Sequence, residues 1–146
     1  MQMIDGAAVH GLLDYETFIP ALRDAHGEWG FGCDLCQEVC PWNTRPRRAI
    51  PADPHGLRAR IATRPEWKRP ALEWVLSLDL EAWRAATRRT ALKRAKHRGL
   101  LRNALVVAGN SGEAGLLPLV EAHAESDDAL VAEHARWAAQ RLRGEA

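Results

Sequence analysis

Residues 99–112 read GLLRNALVVAGNSG, and the apolar pattern of this stretch bears directly on the fold. Its apolar residues recur at the spacing of one helix face: Leu101, Ala104, Leu105 and Ala108. That period is typical of a helix that buries one side. We therefore predict a helix from about Gly99 to Ala108, ended by residues 109–112, which tolerate a positive φ.

Segments upstream of this stretch carry further helix signals. The residues predicted to share an apolar face are Leu72, Val75, Leu76 and Leu78. Asp79 has the side chain of a good N-cap, so we expect a second helix from there through Trp83 and Ala86. Trp74, Trp83 and Trp137 are all predicted to be core residues.

Downstream segments continue the helical pattern. Pro118 is suited to the first turn of a helix that runs through about His123, and residues 126–128 can start a last helix. The residues expected to face inward from that helix are Leu130, Val131, His134, Ala135, Ala138 and Leu142. No segment shows the period of two that a strand needs, so the fold is predicted to be mainly α.

A loose likeness between residues 100–105 and 134–138 predicts repeated helix pairs. Such pairs stack into solenoids of the HEAT type, so a short HEAT-like α-solenoid is expected over residues 71–146. A Pro/Arg-rich linker is predicted over residues 49–70, because frequent prolines prevent long helices. Residues 1–48 contain three cysteines in the ferredoxin-type spacing C-x2-C-x3-C-P, and they are predicted to form a partial ferredoxin-like iron–sulfur segment.

The composition excludes several classes of protein. The chain has 146 residues, of which 47% are hydrophobic, and this share is typical of a globular protein rather than a disordered one. No run of about 18 apolar residues is present, as a membrane span would require. The start of the sequence does not resemble a secretory signal, so we expect a cytoplasmic protein without a membrane partner. Because thiols stay reduced in the cytoplasm, clustered cysteines in such a protein indicate metal binding rather than disulfides.

The overall charge of +1 hides a basic middle between acidic flanks. Residues 45–102 contain sixteen basic and five acidic side chains, and the run from Arg84 to Arg102 contains no acidic residue. Cations that lack internal neutralisation can contact phosphates, so this run predicts a set that binds a phosphate backbone. That set is Arg88, Arg89, Lys93, Arg94, Lys96, Arg98 and Arg102. An ordinary solvated helix face remains the alternative. For Asn103, a structural role in holding the loop at residues 109–112 also stays open.

Three cysteines form a compact motif at residues 33–41, which read CDLCQEVCP. The spacing of Cys33, Cys36 and Cys40, followed by Pro41, matches the last three positions of the two-cluster ferredoxin pattern. Thiolate sulfur is a soft ligand suited to iron, so the motif predicts metal ligation in a [4Fe–4S] site. A cubane cluster takes four ligands, and this chain has three cysteines.

Other uses of these cysteines remain open. A structural zinc site could combine the three thiolates with a histidine such as His26. Free thiols without a metal are a further alternative. A redox dithiol at Cys33 and Cys36 is disfavoured, because no strand–helix context of the thioredoxin type surrounds the pair.

Four segments together resemble the tRNA epoxyqueuosine reductase family. They are residues 31–43 (FGCDLCQEVCPWN), 93–104 (KRAKHRGLLRNA), 109–112 (GNSG) and 134–138 (HARWA). The first is similar to that family's second cluster motif, and the others to its C-terminal helical domain. The resemblance covers roughly residues 16–143, in the family's order.

The resemblance implies a reductase that converts epoxyqueuosine to queuosine in tRNA with cobalamin and two [4Fe–4S] clusters. It implies that Cys33 and Cys36 serve one cluster and Cys40 the other, and that the basic set from Arg88 to Arg102 contacts tRNA. The cobalamin-binding catalytic domain and the first cluster motif of the family are missing from the sequence, so we assign no catalytic and no cobalamin-binding residue. We expect the C-terminal part of a reductase, inactive by itself.

Two other functions remain open. One is a non-enzymatic RNA-binding module whose cysteines hold zinc or a cluster. The other is an electron-carrier half that pairs with a separately encoded N-terminal half.

Overall fold

The computed structural model describes residues 64–68 and 70–145, together with the shorter pieces 23–25, 27, 30, 39–41 and 54–56. Six helices follow one another: α1 (Pro65–Lys68), α2 (Leu72–Ser77), α3 (Leu80–Ala86), α4 (Lys96–Ser111), α5 (Leu117–Ala124) and α6 (Ala129–Arg143). Short 3₁₀ turns at Ala91–Ala95 and Ala114–Leu116 precede α4 and α5. Residues 23–25 are also helical, and none of the described residues lies in a strand. The prediction of a mainly α fold is confirmed.

The core lies where α4, α5 and α6 meet. Helix α6 packs against both α4 and α5, and α2 covers α4 and α5 from another side. The largest fully buried apolar side chains there are Leu76, Leu105, Leu116, Val120 and Val131. Small residues let α4 and α6 approach closely, since Ala108, Ala135 and Ala138 are fully buried between them. The apolar faces predicted for α2, α4 and α6 therefore form one core.

Several helices begin or end at residues whose side chains or backbone favour a helix end. The Asp79 carboxylate accepts a hydrogen bond from the Ala82 amide at 2.7 Å, as predicted for the start of α3. Asp128 caps α6 in the same way, through the amides of Leu130 and Val131. Gly112 ends α4 with a φ of 68°, a left-handed conformation that glycine adopts without strain.

The predicted end of α4 at Ala108 is wrong. The helix continues through Gly109 to Ser111, because Gly109 faces the neighbouring helix α6 rather than ending its own. A Cβ added at Gly109 would lie 2.6 Å from Cζ3 of Trp137 and 3.1 Å from the Cα of Ala138. The glycine is therefore needed for close packing of the two helices.

The end of the Pro/Arg-rich segment is anchored on α3. The indole nitrogen of Trp67 donates to the Ala86 carbonyl at 2.9 Å, and the Arg64 guanidinium donates to the carbonyls of Ala86 and Arg88. Trp67 also contacts the edge of Trp74, with ring centroids 5.0 Å apart. These contacts attach α1 to the turn that follows α3.

Within the part of the chain that is described, no helix is long and apolar enough to cross a membrane.

Candidate RNA interface

The predicted tRNA-binding residues lie on and around the turn that connects α3 to α4. We call the basic surface the set Arg84, Arg88, Arg89, Lys93, Arg94, Lys96 and Arg98. All seven side chains are exposed to solvent. Apart from Arg98, none of them forms an ion pair with a carboxylate of the described residues. Six adjacent cations are thus available to an anionic partner.

Arg98 differs from the other members of this surface, because it pairs with Asp128 at 2.6 Å. Desolvation opposes ionisation of the Asp128 carboxyl, but the bond from Arg98 and the amides of Leu130 and Val131 outweigh it and hold its pKa below the ordinary value. Asp128 therefore stays charged at neutral pH. The Arg98 side chain thus links α4 to the start of α6, and it also adds a positive charge to the basic surface.

The turn under the basic surface is held by buried hydrogen bonds. The hydroxyl of Thr87, a fully buried residue, donates to the Trp83 carbonyl at 2.8 Å, and that of Thr90 donates to the Thr87 carbonyl at 2.9 Å. His97 Nε2 lies 2.7 Å from the Leu78 carbonyl, which can only accept, so this nitrogen carries the proton. The cations are therefore presented by a fixed backbone rather than a loose loop.

Two basic residues of this surface have left-handed backbone conformations. Arg89 has a φ of 60°, and Lys96 has a φ of 56° with a ψ of 163°. Such conformations cost a non-glycine residue about 1–3 kcal/mol and persist only where the surroundings enforce them. Lys96 lies where the 3₁₀ turn, which carries Lys93 and Arg94, ends and α4 begins.

Arg102 and Asn103 lie one helical turn further along α4, and both are half-buried. Arg102 donates to Oδ1 of Asn103 through Nε at 3.1 Å and Nη2 at 2.8 Å. Asn103 in turn donates through Nδ2 to the Gly30 carbonyl at 3.0 Å. The Asn103 amide contacts the chain ahead of the cysteine motif and makes no described bond to the loop at residues 109–112.

The described residues 23–25, 27 and 30, which we call the lead-in segment, are also held on α4 by a second asparagine. Asn110 Nδ2 donates to the carbonyl of Arg23 at 2.9 Å and to that of Gly27 at 2.8 Å. Both asparagines are on α4, seven residues apart and thus about two turns from each other. Their side chains donate to the backbone carbonyls of Arg23, Gly27 and Gly30.

Arg23 anchors the same segment to α6. Its guanidinium is buried, forms an ion pair with Glu133, and lies 5.3 Å from the centroid of the Trp137 ring. Arg141 lies 5.4 Å from the same ring and pairs with Asp24 at 2.9 Å. Trp137, predicted only as a core residue, therefore also takes part in two cation–π contacts.

Sequence reasoning did not identify these anchoring residues. Arg23 is the sole basic residue among the first 44, which was the one available signal. Asn110 was interpreted as part of a helix-ending turn, and nothing local distinguishes it from such a residue. Their partners are 83 to 110 residues away in the sequence, beyond the reach of any periodicity.

Buried His134 of α6 lies close to these anchors. Its Nδ1 donates to the Leu130 carbonyl at 2.8 Å. Burial lowers the pKa of His134 below its ordinary value of about 6.5, and the positive charges of Arg23 and Arg102 lower it further, against the opposing effects of the Leu130 carbonyl and Glu133. His134 is therefore neutral in the folded protein at pH 7.

We expect acidification to destabilise the domain through His134. Its unfolded state takes up a proton near pH 6.5 while the folded state resists protonation, so the unfolding free energy should fall as the pH drops below about 6.5, by at most about 1.4 kcal/mol per pH unit. Urea unfolding between pH 7.5 and 5.5 measures this slope. The His134→Gln variant should show a shallower slope, and an unchanged one would contradict the assignment.

Of the predicted metal ligands, Cys33 and Cys36 lie outside the described residues. Cys40 is half-buried and has a free thiol. Among the described positions, no group of three or more His, Cys, Asp or Glu side chains is arranged to hold a metal ion. The fit to a cluster thus rests on the chemistry of the donor set, because thiolate sulfur is a soft ligand that suits iron.

Comparison with known proteins identifies relatives of this chain. It is 33% identical over 132 residues to a protein from Xanthomonas campestris pv. campestris, 34% over 127 residues to one from Alicycliphilus denitrificans, and 33% over 135 residues to one from Pseudomonas aeruginosa. These alignments cover 86%, 82% and 88% of this chain, but only 34%, 33% and 34% of the relatives. No family model matches the chain, and no solved structure matches it significantly.

The class of protein follows from these relatives, since all three are named epoxyqueuosine reductase. The chain therefore belongs to the epoxyqueuosine reductase family, and it spans about one third of the length of the relatives it matches, consistent with a C-terminal portion. The resemblance drawn from the four sequence segments is thereby confirmed.

Proposed function

We propose that this chain is the part of an epoxyqueuosine reductase that contacts tRNA and contributes thiolate ligands to an iron–sulfur cluster. The reaction of the whole protein is the reduction of epoxyqueuosine to queuosine in tRNA. Within it, the basic surface binds the RNA backbone, and Cys33, Cys36 and Cys40 ligate [4Fe–4S] iron. The protein acts in the cytoplasm, where its thiols stay reduced.

The observation that carries the RNA contact is a group of six exposed cations on and around the turn between α3 and α4, none of which forms an ion pair with a described carboxylate. RNA of A-form geometry is bound mainly through its phosphates and 2′-hydroxyls, since side chains cannot read its deep major groove. Cations held at fixed spacing on a rigid backbone suit that task. The Arg side chains can bind a phosphate through two parallel N–H groups.

The cysteine motif supports the second part of the proposal. The spacing of Cys33, Cys36 and Cys40 before Pro41 is that of ferredoxin-type cluster ligation, within a partial ferredoxin-like segment. With three cysteines in the chain, the remaining ligands come from another part of the reductase. Cobalamin belongs to the whole enzyme, and none of the residues described here is assigned to bind it.

The helical domain supplies the scaffold for both parts. Helix α6 packs against α4 and α5 as the second helix of a repeated pair would, which supports a short HEAT-like arrangement. The basic surface lies at the N-terminal end of α4. The two asparagines that bind the lead-in segment lie further along the same helix.

Anaerobic reconstitution with iron and sulfide tests the metal assignment. We expect bound iron with matching sulfide, and a broad absorption band that the triple variant Cys33→Ser, Cys36→Ser, Cys40→Ser lacks. The variant keeps the helical domain unaltered and is the matched control. Stoichiometric zinc without sulfide would contradict the cluster and favour a zinc-holding RNA-binding module instead.

A further inference from the structure

The basic surface and the lead-in segment are joined by a short chain of hydrogen bonds. Arg102 donates twice to Oδ1 of Asn103, and Asn103 Nδ2 donates to the Gly30 carbonyl. Gly30 lies three residues before Cys33. A predicted RNA-binding arginine is thus two hydrogen bonds away from the backbone that enters the cysteine motif.

Arg102 can bind Asn103 and a phosphate at the same time. A guanidinium has five N–H donors in a rigid plane, and the contacts to Asn103 use two of them on one edge. Because the side chain is only half-buried, the other edge is available to a phosphate. Phosphate bound there would fix the arginine, and the arginine would in turn hold the Asn103 amide in the orientation that donates to Gly30.

The other anchors of the lead-in segment do not involve Arg102. Asn110 binds the Arg23 and Gly27 carbonyls, and the Arg23 guanidinium contacts Glu133 and Trp137. None of these contacts involves a residue of the predicted RNA-binding set. Among the described contacts, the link to the predicted RNA-binding residues runs through Asn103.

We propose that Asn103 is a positioning residue, which together with Arg102 couples RNA binding to docking of the lead-in segment on α4. This inference rests on the proposed RNA contact. Coupling of this kind is reciprocal: if RNA favours the docked segment, the docked segment favours RNA by the same factor.

Hydrogen exchange of the full chain, with and without a saturating tRNA transcript, tests the coupling. In the wild-type protein, RNA should slow exchange in peptides covering residues 23–30 by about fivefold or more, the low end of typical allosteric couplings. In Asn103→Asp this RNA-dependent protection should be lost, because a carboxylate still accepts from Arg102 but cannot donate to the Gly30 carbonyl.

Asn110→Asp is the matched control, with the same change in charge two turns along the same helix. It should raise exchange in the lead-in segment without RNA, yet keep the protection that RNA adds. A merely structural role for Asn103 would give the two variants the same pattern. Arg102→Lys keeps the charge but not the two-bond contact, and it should also lose the added protection.

The outcomes separate this coupling from the proposed function. If RNA binds and the added protection survives in Asn103→Asp, or is absent from the wild-type protein, the coupling is wrong while the RNA contact stands. If RNA does not bind the wild-type chain, both are wrong.

Discussion

Replacing Lys93 and Arg94 together with Glu is expected to lower the affinity for a tRNA transcript about a hundredfold or more. Both side chains are exposed and unpaired among the described residues, so each is free to contact a phosphate. The change replaces two attractive charges with two repulsive ones, and each unit charge at contact distance is worth about 1 kcal/mol even in water. Filter binding or fluorescence anisotropy at a fixed salt concentration measures the effect.

A charge-matched variant on α6 controls for non-specific attraction. The double variant Arg136→Glu, Arg143→Glu changes the net charge by the same amount. In the wild-type protein, Arg136 donates to the Ala124 carbonyl and Arg143 pairs with Glu121. We expect affinity within about threefold of the wild-type value, because these residues lie outside the basic surface. An equal loss in both variants would show that RNA senses only the overall charge.

Gly109→Ala is expected to destabilise the domain by about 1–2 kcal/mol, although alanine is the better helix former. The added methyl group would lie 2.6 Å from Cζ3 of Trp137 and 3.1 Å from the backbone of Ala138, so α4 and α6 would have to separate. Trp137 has little freedom to move away, since Arg23 and Arg141 both lie against its ring. Urea unfolding at pH 7.5 measures the loss.

Gly99→Ala provides the opposite result in the same helix. A Cβ at Gly99 would meet no atom within 4 Å, and the residue is in α4 without a positive φ. Alanine should therefore stabilise the protein by about 0.5–1 kcal/mol through helix propensity alone. If both substitutions stabilised the domain, the close approach of α4 and α6 at Gly109 would be incorrect.

Features that depend on neighbouring residues could be predicted from the sequence. The caps at Asp79 and Asp128 and the apolar faces of α2 and α6 follow from local side-chain chemistry, and the structure confirms them. The run of cations without an acidic neighbour is likewise a local feature, and most of its members are exposed as a binding surface requires. The prediction of a mainly α fold therefore rests on features that are set by residues close together in the sequence.

Features that depend on tertiary contacts could not be predicted in this way. Gly109 resembles a helix-ending glycine, and only the position of Trp137 reveals that it is a packing glycine. Asn103 binds a carbonyl 73 residues away, and Arg23 pairs with a carboxylate 110 residues away. Such partners become visible only once the chain is folded, and they include the residues that attach the lead-in segment to the helical domain.

The salt dependence of tRNA binding by the unaltered chain tests the central claim most directly. Each phosphate that the protein contacts releases its condensed counterions, and this makes the slope of log affinity against log salt more negative by about 0.7–0.9. With four or more of the six unpaired cations engaged, the slope should be about −3 or steeper. Absence of binding at low salt, or a slope shallower than about −1, would contradict an interface built on the basic surface.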